Sequence, residues 1–265
     1  MKACWFDAFG AAQEVLQQGE WPMPEPGPGE VLVQLCTTGV NPSDVKKRAG
    51  AFPDLLDAGG VIPHSDGAGV IAAVGDGVSP NRVGERVFVY QAQHGRQLGT
   101  AAECVALDSV CAPLLPDNTS FEVGACIGIP VMTAHRCVFA DGPVTGQFIL
   151  VTGGAGRVGH YAIQWAHRAG ARVIATASSE ADAAACREAG AEAVVNHREP
   201  GWGSAVLNMT GGQKIDRVID VEFGANLPAL LHCVRIGATI ATYSSTVVPE
   251  PALPFRTMMF MDLTI

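Results

Sequence analysis

The strongest chemical signal in the chain is the run Val151-Thr152-Gly153-Gly154-Ala155-Gly156-Arg157-Val158-Gly159, with glycine at 153, 156 and 159 in a G-x-x-G-x-x-G spacing. It follows the apolar stretch Phe148 to Thr152, and it opens a helical pattern from Val158 to Ala169 that Gly170 stops. Glycine permits the tight turn and lets a pyrophosphate approach the backbone. The helix start offers free N–H groups and the positive end of its dipole to the phosphates. A glycine-rich turn alone can be an ordinary strand–helix connection. The complete strand–turn–helix–strand context predicts a dinucleotide cradle. The end of the next strand selects the coenzyme: an acid there accepts from the ribose hydroxyls of NAD. This chain has Ala177-Ser178-Ser179, whose hydroxyls can donate to a 2′-phosphate, so NADP(H) is expected. Glu180, one position on, is the residue that would reverse this reading. Arg157 reads either as a solvated first-turn side chain or as positive charge beside a coenzyme phosphate.

These residues need a scaffold. The 265-residue chain is 48% hydrophobic and 16% charged, enough apolar material for two domains and too little charge for disorder. Residues 1–125 read as β-rich: Glu30 to Thr38, Gly67 to Val74 and Glu85 to Tyr90 are strand-like, and the proline-rich Trp21 to Gly29 is an extended connector. Residues 126–265 alternate strand and helix. Arg172 to Ala177, Ala193 to Asn196, Arg217 to Val221 and Ala238 to Thr242 join Phe148 to Thr152 as strands, and Glu180 to Ala189 is a helix stopped by Gly190. Such alternation predicts an α/β domain with a doubly wound parallel sheet. Met261 to Ile265 looks like the start of a sixth strand, so the C-terminal part of this domain is expected to be missing.

The net charge of −9 disfavours nucleic-acid binding. No apolar run reaches the roughly 18 residues of a membrane span, and the N-terminus lacks a secretory h-region. The eight cysteines form no C-x-x-C pair, and a reduced, cytoplasmic protein is the expectation.

A wider set of motifs resembles the zinc-free quinone oxidoreductases of the medium-chain dehydrogenase/reductase superfamily, of the zeta-crystallin type. The residues that carry the resemblance are Gly39-Val40-Asn41-Pro42, Ser65-Asp66-Gly67-Ala68-Gly69-Val70, Val83-Gly84-Glu85-Arg86-Val87-Phe88, Cys126-Ile127-Gly128-Ile129-Pro130 with Thr133-Ala134, the glycine turn, and Asn196-His197-Arg198-Glu199. The resemblance implies a GroES-like partial β-barrel followed by a Rossmann domain, with the nicotinamide in the cleft between them. It implies that Asn41 and Thr133 lie near the nicotinamide, and that Ala155, Gly156, Arg157 and Val158 form the pyrophosphate turn with Gly153 and Gly159. Ser178, Ser179 and His197 would surround the adenosine ribose phosphate. Asn226 and Tyr243-Ser244-Ser245 would lie farther along the coenzyme. Phe52, at another coenzyme-contact position, and Lys46 each replace a frequent tyrosine. Asp182 stands where many relatives carry lysine beside the 2′-phosphate. The family dimerises through the strand that Leu263 to Ile265 would begin, so a homodimer is implied.

Against zinc relatives of the superfamily, Asn41 replaces a cysteine and Ser65-Asp66 a His-Glu pair, so no metal is expected. His64 reads as a satisfied loop or core residue, and His94, His135, His160, His167 and His232 as structural or solvent-facing. No G-x-S-x-G elbow is present. The expected reaction is hydride transfer from NADPH to a small quinone or conjugated enone. Asn41 or Lys46 are candidate donors to the oxygen that gains charge, against the plainer roles of a turn asparagine and a solvated lysine. Two alternatives remain open: an enoyl-thioester or alkene reductase, and a coenzyme-binding protein with little turnover, structural or RNA-associated.

Overall fold

The computed structural model describes residues 1–265, in two compact units, Met1–Ile129 and Pro130–Ile265. The division falls four residues beyond the expected 125/126 boundary. The reason is local: the Ile129 N–H donates to the Asp66 carboxylate at 2.9 Å, which ties residues up to 129 to the first unit.

Strands of the first unit are β1 (Lys2–Trp5), β2 (Gln17–Glu20), β3 (Glu30–Gly39), β4 (Asp66–Val74), β5 (Arg86–Val89) and β6 (Cys104–Asp108). An antiparallel sheet runs β5-β4-β3-β6, and β1 pairs with β2 separately. Val31, Val33, Ile71, Val87, Val89, Val105 and Leu107 form its core. This is the β-rich first half expected from the sequence. Two close approaches explain why glycine stands at fixed places in β3 and β4. A Cβ on Gly69 would lie 2.0 Å from the Gln34 carbonyl oxygen, and one on Gly39 2.2 Å from that of Ala125.

The second unit holds β7 (Phe148–Val151), β8 (Arg172–Ala177), β9 (Ala193–Asn196), β10 (Ile215–Asp220) and β11 (Val234–Thr242). All pairs are parallel, in the order β11-β10-β7-β8-β9. Side chains alternate across a strand, and β7 shows the result. Ile149 and Val151 enter one core with Ala162, Ile163 and Ala166 of the helix Arg157–Arg168. Phe148 and Leu150 enter the other, with Val206 of the helix Trp202–Met209 and Leu227 and Leu230 of the helix Phe223–Cys233. Helices therefore cover both faces, as a doubly wound sheet requires. Thr264 forms a single parallel bridge to Thr239 beside β11. No helix is long and apolar enough to cross a membrane.

Candidate functional site

The glycine turn lies between β7 and the helix Arg157–Arg168. The Gly153 N–H donates to the Thr176 hydroxyl at 3.0 Å and the Gly154 N–H to the Thr176 carbonyl at 2.9 Å, which clamps the turn onto β8. Gly153 has φ +60°, a conformation that side chains resist. Gly156 is the N-cap, with no side-chain cap and no acid in the first turn, so the amides of Arg157, Val158 and Gly159 face outward without a side-chain partner. A Cβ on Gly159 would sit 2.4 Å from the Gly153 carbonyl oxygen. The helix start is pressed against the turn, and its free amides form a cradle suited to a pyrophosphate. Ala155 and Val158 are half-buried, and the Arg157 side chain is exposed.

At the end of β8, Ser178 is half-buried. Ser179 caps the helix Glu180–Ala189, accepting from the Asp182 N–H at 3.1 Å and donating to the Asp182 carboxylate at 2.8 Å. The hydroxyl expected to face a 2′-phosphate is thus held by an acid. Glu180 turns along its helix to pair with Arg187 at 2.7 Å. His197 follows β9, half-buried, with Nδ1 buried and unpartnered; burial first, then Arg198, pulls its pKa down.

At the ends of β10 and β11 the organising group is Asp220, which is 0% exposed and was not singled out in the sequence. It accepts from Thr152 Oγ1 at 2.7 Å, Asn226 Nδ2 at 2.8 Å and the Glu222 N–H at 3.1 Å. Asn226 is therefore engaged within the protein. The Tyr243 N–H donates to the Asp220 carbonyl, and burial pushes the Tyr243 phenol up. The Ser244 carbonyl accepts from the Phe223 N–H, and Ser245 Oγ accepts from the Gly224 N–H at 2.9 Å. Glu222 accepts from the N–H groups of Thr246 and Val247 at 2.8 and 3.0 Å, pinning the loop after Tyr243. Thr133 and Tyr243 meet in one cleft of about 560 Å³, which Cys137 and Arg217 also line.

In the first unit, Asn41 is 3% exposed and bridges two buried carboxylates. Its N–H donates to Asp44 Oδ2 and its Nδ2 to Asp66 Oδ2, both at 2.8 Å. Lys46 and Phe52 are exposed, apart from this cluster. Asp66 Oδ1, Asp44 Oδ1 and Ser43 Oγ are buried without partners. Burial pushes the Asp66 carboxyl up to about 6 against the donors Asn41 and Ile129. The folded chain therefore takes up a proton, between about pH 4 and pH 6, that the unfolded chain has released. Stability falls as pH rises through that window, by up to about 3 kcal/mol. Asp66→Asn is expected to resist urea better than the parent at pH 7.5, by about 2 kcal/mol, with the advantage gone at pH 4. An equal pH dependence in both proteins would exclude Asp66 as the source.

A catalytic zinc requires three protein ligands of N, S or O type. No three of the His, Cys, Asp and Glu side chains converge to hold a metal, and the Asn41 amide donates to Asp66. The residues present do not fit that ion.

Comparison with known proteins gives a consistent picture. Residues 27–141 match the Alcohol dehydrogenase GroES-like domain, and residues 158–265 the family described as Zinc-binding dehydrogenase. The chain is 32% identical over 241 residues to the quinone oxidoreductase of Rattus norvegicus, covering 91% of this chain and 72% of that one. Among solved structures, a mycobacterial protein complexed with NADPH superposes with TM-score 0.87 at 29% identity, covering 100% of this chain and 80% of that one. The quinone oxidoreductase of Pseudomonas syringae pv. tomato DC3000 superposes with TM-score 0.86 at 27% identity, covering 99% and 79%.

Proposed function

Because the chain belongs to the quinone oxidoreductase family of the medium-chain dehydrogenases/reductases, we propose that it reduces small quinones or conjugated enones with NADPH, without zinc. The observation that carries this reading is the cradle at Gly153–Gly159, where the uncapped helix start is held against a positive-φ glycine turn. In it the amides of Arg157, Val158 and Gly159 bind the pyrophosphate. Ser178, Ser179 and His197 border the adenosine ribose, and Thr133 with Tyr243 borders the nicotinamide end. When bound, the coenzyme supplies the hydride. The protein's part is to orient the acceptor and exclude water.

Steady-state NADPH oxidation with a panel of quinones and enones tests the reading. Turnover that survives a chelator such as 1,10-phenanthroline is the expected result. Tight NADPH binding with no turnover on any acceptor would instead favour a coenzyme-binding protein.

Asp182 tunes the coenzyme choice. Its carboxylate holds the Ser179 proton and repels a 2′-phosphate. Asp182→Asn is expected to tighten NADPH binding about 3- to 10-fold and leave NADH unchanged. Parallel calorimetric titrations with both coenzymes check this, and an equal gain for NADH would remove the 2′-phosphate as its cause.

A further inference from the structure

Two helices start at the carboxyl ends of the neighbouring strands β7 and β10, and they differ in what meets their first amides. The helix Arg157–Arg168, after β7, has no side-chain cap. The helix Phe223–Cys233, after β10, is closed by the loop that follows β11. The Phe223 N–H donates to the Ser244 carbonyl at 3.0 Å and the Gly224 N–H to Ser245 Oγ at 2.9 Å. Ser245 in turn donates to the Val248 carbonyl at 2.5 Å. A Cβ on Gly224 would lie 2.3 Å from that same carbonyl oxygen, so a glycine is needed for helix and loop to approach this far.

Glu222, the N-cap of this helix, completes the exchange from the other side. Its side chain does not cap its own helix. Instead it accepts from the loop: from the Thr246 N–H at 2.8 Å, the Val247 N–H at 3.0 Å and, more weakly, the Val248 N–H at 3.5 Å. Successive main-chain N–H groups that converge on one anion form a nest. Burial works against the charged form of Glu222, and these amides outweigh it, so its pKa lies below the usual carboxylate value. The same short segment reaches the cradle. The Glu222 N–H donates to the Asp220 carboxylate at 3.1 Å, and the Tyr243 N–H donates to the Asp220 carbonyl at 3.2 Å. Val221 packs on the glycine turn, where a Cβ on Gly153 would lie 2.9 Å from Val221 Cγ1. Residues 220–222 therefore join the loop after β11 to the turn after β7, along the edge where open α/β sheets bind their ligands.

Resting on the function proposed above, we infer that Glu222 is a positioning residue for the coenzyme: its carboxylate, seated on the amides of Thr246, Val247 and Val248, fixes the loop that begins at Tyr243. In that reading Tyr243 borders the nicotinamide end. The sign of the effect separates this role from that of a neighbouring charge. A carboxylate that only stood near a coenzyme rich in phosphate would repel it, and removing it would tighten binding. A carboxylate that holds the loop in place does the opposite. Without it, coenzyme binding must order the loop itself, and affinity falls.

The test is Glu222→Ala, titrated by calorimetry with NADPH and with NADH. Both affinities should fall by the same factor, about 10-fold, because the loop and not the 2′-phosphate is what changes. The vacated nest should take a small carboxylate from solution. Sodium acetate should therefore restore part of the lost affinity, sodium chloride at equal ionic strength should not, and the parent should gain nothing from either. Glu222→Gln, which keeps the size and loses the charge, should fall between alanine and the parent. Gly224→Ala attacks the same clamp from the helix side, pushing on the Val248 carbonyl with the carboxylate intact. It should weaken both coenzymes without recovery by acetate. Hydrogen exchange at the Thr246 and Val247 amides gives a readout independent of the coenzyme, and should quicken in Glu222→Ala while the sheet amides keep parental protection. Unchanged or tighter NADPH binding in Glu222→Ala, a loss that acetate does not reverse, or parental affinity in Gly224→Ala overturns the inference alone. No coenzyme binding by the parent overturns the proposed function itself.

Discussion

Gly159→Val is expected to weaken NADPH binding by at least about 100-fold, or roughly 3 kcal/mol, in isothermal titration calorimetry. In an ordinary helix interior, replacing glycine with a residue of higher propensity is neutral or stabilising. Here the new Cβ would meet backbone, 2.4 Å from the Gly153 carbonyl oxygen and 2.9 Å from the Gly154 Cα. Neither atom can swing aside as a side-chain end can. The Gly153 and Gly154 amides are both bonded to Thr176, so the turn cannot retreat without breaking them. The helix start must therefore move, carrying the amides of Arg157 and Val158 with it. Gly156→Ala gives the comparison, because its Cβ meets only the Gly153 oxygen, at 3.1 Å. Its effect should be smaller, about 3- to 10-fold in affinity. Equal losses in the two variants would mean that the close approach at Gly159 does not set the geometry of the cradle.

Asp220→Ala is expected to cost about 3–5 kcal/mol in urea unfolding, more than any exposed substitution on the same unit. The carboxylate is fully buried and satisfies three donors, from Thr152, Asn226 and Glu222. Thr152 in turn accepts from the Val221 N–H at 3.0 Å, so one side chain ties the end of β7 to the end of β10 and to the helix Phe223–Cys233. Removing it leaves the buried Thr152 hydroxyl and the partly buried Asn226 and Glu222 donors without their acceptor. Asp220→Asn keeps the volume but turns one acceptor into a donor facing other donors, and should cost about 2 kcal/mol. Both variants should also lose NADPH affinity if these strand ends shape the coenzyme site. Alanine at 220 with parental stability would mean that water replaces the carboxylate without loss.

The features that local sterics control were legible in the sequence. β8, β9 and the helix Glu180–Ala189 have the expected ends, and Gly190 closes that helix with φ 115°. The glycine turn was readable because its requirement is steric and spans only a few residues. Elements held by partners elsewhere were not. β2 has the sequence Gln-Gln-Gly-Glu, with no apolar alternation, and exists because it pairs with β1. The helix Phe223–Cys233 contains Pro228, which a reading from propensity counts against a helix. Val221 leaves β10, where the sequence placed it, because its N–H goes to Thr152.

The site divides in the same way. Residue types and spacing alone determined the tight glycine turn at Gly153–Gly159 that we propose as the coenzyme cradle, since the backbone freedom of glycine is a property of the residue. Only the tertiary structure decided that Asn41 binds a carboxylate 25 residues away and that Ser179 is held by Asp182. Hydrogen-bond direction, burial and proton order depend on groups that folding brings together from distant parts of the chain, and no local window of sequence contains them.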